Sequence, residues 1–324
     1  MKRIRPLRAV LLTAALLCAL PAAGCEKEMP GRLDGGLTSE QTAVTSGTAG
    51  ATGTTAPRGK AFDTPRFAAG TYRMTASSVN ETVFYQGQQI PFYEKTTQSY
   101  TYRITVTEEP DGAWKAQYTI ERIMLRYDTK DETETVDTAD TGKSVEERDE
   151  RDQRDEFTSV YFDLIGQSFT ADISRNGTVS LSGLDKIHRN VPDSADVIRE
   201  DNMREVVSDV FYPLPDKLHT GDTWQLTQSG IVNTYGVSST NSQSVFVDIV
   251  GGELALPAPY TENEITYTYT SCDPLSGTLT VNRDNRMIQE QASYQELKGK
   301  AVSGQITLTF KRSTTSSAQI SPAD

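Results

Sequence analysis

YTYRITVTEEPDGAWKAQYTIERIMLRY, residues 100–127, carries the pattern that decides the fold. Tyr100, Tyr102, Ile104 and Val106 alternate with Thr101, Arg103, Thr105 and Thr107, the period of two of a strand with one buried face. After Pro110-Asp111-Gly112 the alternation returns in Trp114, Ala116, Tyr118 and Ile120, which makes the two runs a hairpin around a glycine-containing turn. Apolar positions then move to odd numbers at Ile123, Leu125 and Tyr127. A change of phase within one strand predicts a bulge, or a transfer of the strand between faces.

The same period recurs along the chain. Phe169, Ala171 and Ile173 lead into Ser174-Arg175-Asn176-Gly177, after which Val179 and Leu181 return, and Asn-Gly between alternating runs signals a second hairpin. Further candidate strands are residues 245–249, 265–269, 278–281, 287–294 and 306–310, rich in the Thr and Tyr that suit half-buried pleated surfaces. One stretch has helical spacing instead. Asp193 or Ser194 can cap a main helix at about 194–210, with Val197, Ile198, Met203, Val206, Val207 and Val210 along one stripe and Pro213 and Pro215 beyond its end. The expected fold class is mainly β (α+β): an antiparallel curved sheet, closed as a half-barrel or a two-sheet sandwich, with that helix packed on it.

Composition narrows the function classes. Residues 1–24 read as a removable export signal, with Lys2, Arg3, Arg5 and Arg8 ahead of an apolar run from Ala9 to Leu20 that is too short to span a bilayer. With those four bases gone and no acid lost, 28 bases face 44 acids, a formal charge of −16. So acidic a surface repels phosphate backbones, so no nucleic acid is expected as partner. Residues 25–65 are dominated by Thr, Gly, Ala and Ser, which bury little and predict a disordered tether with an r.m.s. reach of about 35 Å. Residues 66–312 form the globular domain, and 313–324 read as a flexible tail. An acidic loop at 130–156 holds twelve acids against five bases. It reads as a mobile insertion or a solvated helix, and its spacing does not reproduce a calcium loop.

Chemistry-bearing residues are scarce. His188 and His219 are the only imidazoles, and neither has a serine-elbow or cysteine partner nearby in sequence. Once Cys18 leaves with the signal and Cys25 is modified, Cys272 is a single thiol without a C-x-x-C partner. Two histidines and one thiol do not make a zinc site, and no phosphate-binding glycine motif is present. No catalytic, cofactor or metal residue is therefore assigned, and an enzyme is not expected.

Pro21-Ala22-Ala23-Gly24-Cys25 resembles the lipobox of bacterial lipoproteins, with Ala22 where that family usually carries Leu. The resemblance implies cleavage after Gly24 and lipid attachment at Cys25. Ordinary secretion satisfies the same bond through Ala22-x-Gly24. A second resemblance rests on residues 211–224, FYPLPDKLHTGDTW, together with Ile165–Thr170, Asn176–Val179 and Leu184–Ile187. It is similar to a family of bacterial envelope lipoproteins with a PLPDKxxxGDTW-type segment after a helix, over roughly residues 160–312. His219 stands where those members more often carry an aliphatic residue, and the family transfers no activity. The reading is thus a lipid-anchored protein facing outside the cytoplasm, held to the membrane through Cys25. It binds an apolar or amphipathic small molecule among its tyrosines, of which the chain has fourteen. Alternatively it is a structural or interaction lipoprotein of the envelope that meets another envelope protein.

Overall fold

The computed structural model describes residues 62–63 and 69–323, apart from 111, 140–155, 176, 212–213, 216, 229–230, 253–254, 263 and 285–286. The leader, Gly24, Cys25, nearly all of the tether and most of the acidic loop lie outside the described residues. Strand β1 is Phe62–Asp63, β2 Gly70–Gln86, β3 Gln89–Glu108, β4 Trp114–Thr129 and β5 Thr133–Asp137. Helix α1, Glu156–Asp163, is followed by β6 (Ser168–Ile173), β7 (Val179–Ser182), helix α2 (Leu184–Asn190) and helix α3 (Glu200–Ser208). Then come β8 (Leu214–Pro215), β9 (Thr223–Gln228), β10 (Ile231–Thr240) and β11 (Ser244–Val250). The last five strands are β12 (Tyr260–Glu262), β13 (Ile265–Cys272), β14 (Ser276–Asn282), β15 (Ile288–Ser303) and β16 (Ile306–Pro322).

These strands build one large antiparallel, open, curved sheet in the order β7-β6-β4-β3-β2-β16-β15-β14-β11-β10-β9. The mainly β reading holds, and the sheet is neither closed into a barrel nor doubled into a sandwich. It widens at two places. Strand β4 pairs β3 along its length but β6 and β5 on its other side, and β15 pairs β16 along its length but β14 and β13 on its other side. Strands β1 and β8 form a separate two-stranded pair.

The phase change in β4 is a bulge. Thr101 pairs with Arg122 and Tyr102 with Ile120, so Glu121 is the extra residue and Ile120 and Ile123 point to one face. Glu121 turns outward between Arg73 and Arg103, at 3.1 and 2.6 Å. Every cross-strand partner follows from that register. One face, the inner, carries Met74, Tyr102, Tyr118 and Phe169 at one end, and Phe84, Phe310 and Tyr269 at the other. The outer face carries charged clamps such as Glu296 between Lys298 (3.1 Å) and Lys311 (2.6 Å).

Three apolar clusters share the inner face. The largest packs the three helices over β2, β3, β4 and β6, where Tyr118 stacks on Phe169 at 5.0 Å and Tyr102 meets both rings edge-on. The second joins Leu214 and Trp224 to β10, β11 and β14. The third gathers Phe84, Tyr269, Leu297, Ala301 and Phe310 near the tips of the β2–β3 and β15–β16 hairpins. Between the first and the third, the inner rows read Ser78, Asn80, Thr96, Gln98, Ser293, Gln295, Thr314 and Ser316. The outer rows there hold Ser77, Ser99, Thr315 and Ser317 around Val79 and Tyr294, so the middle of β2, β3, β15 and β16 is a mostly polar waist on both sides, while Leu125 and Tyr127 of β4 carry the inner face on beside it.

Three expectations are corrected. The main helix at about 194–210 is a 3₁₀ turn, Ser194–Asp196, followed by α3 from Glu200. Asp193 is left-handed (φ 65) and Arg199 extended (ψ 145), so the backbone restarts between them even though Val197 and Ile198 are buried as the stripe required. Residues 313–322, read as a tail, complete β16 and pair with β2, because a Ser/Thr-rich strand facing another Ser/Thr-rich strand lacks the apolar alternation that signals a sheet. The acidic stretch opens as β5 and closes as α1 rather than being loop throughout.

Candidate functional site

The third cluster contains a buried cation. Arg312, on the inner face of β16, is 6% exposed and stands opposite Thr82 of β2 and Leu297 of β15. Its Nε donates to Thr82 Oγ1 at 3.2 Å and its Nη1 to the Tyr269 hydroxyl at 3.1 Å, while the guanidinium carbon lies 5.9 Å from the Phe310 ring centre. Burial works against this charge, and the neighbouring Tyr269, Tyr260 and Glu94 outweigh it, so the group stays protonated. Glu94 pairs with Thr129 across the β3–β4 ladder and faces the same space, with Thr82 as its β2 neighbour. Burial raises the Glu94 carboxyl above the usual range, Arg312 opposes that shift and Glu262 adds to it. Among the described residues Arg312 forms no ion pair with a carboxylate, although Glu94 lies close enough for the two charges to feel each other.

Tyrosines wall this group. Tyr260 of β12 stacks on Tyr267 of β13 at 4.8 Å, and Tyr267 meets Phe310 edge-on at 5.9 Å. Tyr127, next to Glu94 in the ladder, and Tyr267 both have their phenols pushed up to about 12, first by burial and then by neighbouring phenol or carboxyl groups. Glu94, Tyr127, Tyr260 and Tyr267 are half-buried, which leaves this end of the inner face reachable from solvent. Gly299 makes the packing feasible. A Cβ there would lie 2.5 Å from both the Phe310 ring and the Thr268 carbonyl, so only glycine lets the ring lie flat against β15.

The second polar group lies under α3. Asp209, just past the helix end, accepts a hydrogen bond from Gln291 Nε2 at 2.9 Å. Burial pushes its carboxyl up to about 7, Glu205 adds to the shift and the Gln291 bond opposes it. Glu205 is likewise pushed up to about 7, by burial and then by Asp201. Tyr118 beside them has its phenol raised by burial, then by Tyr102 and Asp209, and its hydroxyl has no hydrogen-bond partner among the described residues. A fully buried hydroxyl without a partner costs stability. Tyr118→Phe is therefore expected to stabilise the fold by about 1 kcal/mol in chemical denaturation. A loss of stability instead would mean that a bound water holds the hydroxyl.

The residues weighed on sequence grounds do not converge. His188 is half-buried and its Nδ1 lies 3.0 Å from Ser194 Oγ, while exposed His219 sits in the turn before β9, where Asp222 accepts from its backbone N–H at 2.9 Å. Cys272, half-buried at the end of β13, has its thiol pushed up by burial and by Asp273. The PLPDKLHTGDTW segment pairs Leu214–Pro215 with β1, turns at Gly221 (φ +87) and delivers Trp224 onto Tyr235 at 5.4 Å. Among the described residues no group of three His, Cys, Asp or Glu side chains is arranged to hold a metal ion. Arg312 and Glu94 went unnoticed in the sequence. Their sole signal was a charged residue on the inner-facing register of a strand, which needs the pairing to be recognised.

No protein-family model and no curated protein matches the chain. Among solved structures it is similar to a chain described as "Lipid-protein interactions in lipovitellin", with a TM-score of 0.46 and 13% identity over 80% of this chain and 26% of that one. The chain thus spans about a quarter of the length of that structure.

Proposed function

We propose that this is a lipid-anchored lipoprotein facing outside the cytoplasm that holds an amphipathic ligand on the inner face of its sheet and carries no catalytic machinery. The observation behind this reading is the inner face itself, where a mostly polar waist runs into an aromatic cluster with buried Arg312 and half-buried Glu94 at its head. An apolar tail and a polar head would each find matching surface there. His188, His219 and Cys272 sit on separate segments of the chain, which supports binding rather than covalent chemistry.

The anchor is the resemblance of Pro21–Cys25 to a lipobox, and diacylation of Cys25 with N-terminal acylation would suffice for stable attachment. Cys25→Ala is expected to release the protein from the membrane fraction in a fractionation of host cells. Retention in the membrane fraction would overturn lipid anchoring as the sole attachment.

A second reading has its own observation. Ile90, Phe92, Val302 and Ile306 are exposed at the adjacent β2–β3 and β15–β16 hairpin ends, as an interaction lipoprotein would require. Native mass spectrometry of the mature protein, extracted gently from its host envelope, separates the two. A discrete non-covalent mass lost on denaturation supports ligand binding. An empty protein that co-extracts with other chains supports the interaction reading.

A further inference from the structure

Residues 82–93, TVFYQGQQIPFY, and 301–310, AVSGQITLTF, contain no charged side chain, in a chain that is 23% charged. They form the turns of two hairpins that lie side by side, because Thr309 of β16 pairs with Tyr85 of β2. Ile90 (50%), Phe92 (40%), Val302 (38%) and Ile306 (59%) stand exposed there. The pairing puts Phe92 and Ile306 on the inner face and Val302 on the outer, so apolar surface wraps this end of the sheet from both sides. A folded partner would need a cleft that takes in both faces. A fluid lipid surface takes in such an end without matching its shape. Strands β2, β16 and β15 are paired on both sides almost to their turns, so few of their backbone groups would meet hydrocarbon unpaired. One row back on the outer face, Tyr85, Thr309 and Lys300 lie across the strands, and behind them Tyr93, Val83, Lys311 and Lys298. Tyrosine and lysine just behind an apolar end suit the level of lipid head groups, where phenol and ammonium stay hydrated. Lys298 and Lys311 pair with Glu296, so attachment there rests on the apolar tips more than on charge. The neighbouring β12–β13 turn carries Glu262 and Glu264, which marks the side on which insertion stops.

We propose that the β2–β3 and β15–β16 tips insert into the surface of a lipid bilayer, with Ile90, Phe92, Val302 and Ile306 among the acyl chains and Tyr85, Tyr93 and Lys300 at head-group level. This contact is independent of any ligand on the inner face. It is also within reach of an anchor at Cys25, since the 36 residues between Cys25 and Phe62 span up to about 120 Å, more than the roughly 55 Å length of β2. Four side chains on two tips make a weak, reversible contact that orients the domain, so release of Cys25→Ala from washed membranes is still expected.

The test uses the whole mature chain carrying Cys25→Ala, so that no acyl chain contributes, and phosphatidylcholine vesicles at millimolar lipid. The protein is expected to float with the vesicles, and Ile90→Ser combined with Ile306→Ser is expected to weaken the partition at least about tenfold without lowering the melting temperature. If that pair unfolds the protein, Val302→Ser on the outer face is expected to weaken it about threefold or more. In a Phe92→Trp variant the added emission is expected to fall at least about twofold with phosphatidylcholine brominated on its acyl chains. The parent, whose Trp114 and Trp224 are buried, is expected to keep its emission. Absence of flotation overturns the proposal, as does flotation that the serine variants leave unchanged, or Phe92→Trp emission that the brominated lipid leaves intact. Without flotation, a protein that co-extracts with the parent and is lost with the serine pair assigns the tips to that partner instead.

Discussion

Replacing Asp209 by asparagine is expected to raise stability at pH 8 by up to about 4 kcal/mol and to leave it nearly unchanged at pH 4. The carboxyl has an ordinary value of 3.8 and is pushed up to about 7 in the fold by burial and by Glu205. The unfolded chain therefore releases this proton near pH 4, whereas the native protein keeps it until about pH 7. Between those values the native state binds more protons, so stability falls as pH rises, and above pH 7 the full cost of an ionised, buried carboxylate is felt. Asparagine keeps an oxygen to accept the Gln291 bond and has no charge to bury. Glu205, also raised to about 7, adds to the same slope. Urea midpoints of both proteins at pH 4, 6 and 8 check this. A wild-type stability that stays flat across that range, or an asparagine variant weaker at pH 8, would show that the carboxyl is not buried as described.

Deleting Glu121 and Arg122 together is expected to abolish cooperative folding, whereas deleting Glu121 alone is expected to leave it intact and Glu121→Ala to cost less than about 1 kcal/mol. The Glu121 side chain pairs with two largely exposed arginines, an arrangement of small worth. Its backbone is the extra residue of the bulge, so removing it alone straightens the ladder and leaves Ile120 and Ile123 two apart on the inner face, with Arg122 still opposite Thr101. Removing Arg122 as well places Ile123 opposite Thr101. Ile123 and Leu125 then turn outward and Arg126 turns toward the core, an exchange that exceeds the net stability of an ordinary domain. Circular dichroism and thermal melting of the three variants make the comparison. A double-deletion variant that melts like the parent would mean that β4 can form a new bulge elsewhere, and a single deletion that fails to fold would mean that the bulge is needed for more than the face of these side chains.

That bulge was legible in residues 100–127, because alternation that breaks phase without leaving the strand has few physical solutions. The two hairpins at Gly112 and Gly177 were legible for a related reason, since both turns need a positive φ that glycine supplies without cost (φ 76 and 83). The long strands were not. Residues 77–81, with Val79 as their one apolar side chain, and the wholly polar 313–317 carry no apolar alternation, so no period of two separates them from a loop. The helix boundary at Glu200 depended on backbone angles at Asp193 and Arg199 that the side chains do not announce. The Arg312 group was hidden by distance along the chain, for Thr82 and Arg312 are 230 residues apart and meet because β16 returns beside β2. Loops of that span leave no local trace of the contact they close.

The polar waist gives the sheet an uneven mechanical character. Small hydroxyl side chains on both faces, such as the Ser77–Ser99 pair at 3.0 Å, supply no interlocked layer to resist torsion, so cohesion there rests on the backbone ladder. Along the strands the same region is stiff, since covalent chain runs straight through it. Gln291, which holds Asp209, and Leu297, which faces Arg312, are six residues apart on β15, about 20 Å at strand rise. The four antiparallel strands β3, β2, β16 and β15 thus join the proton-sensitive Asp209 end to the Arg312 end through a section that twists more readily than it stretches.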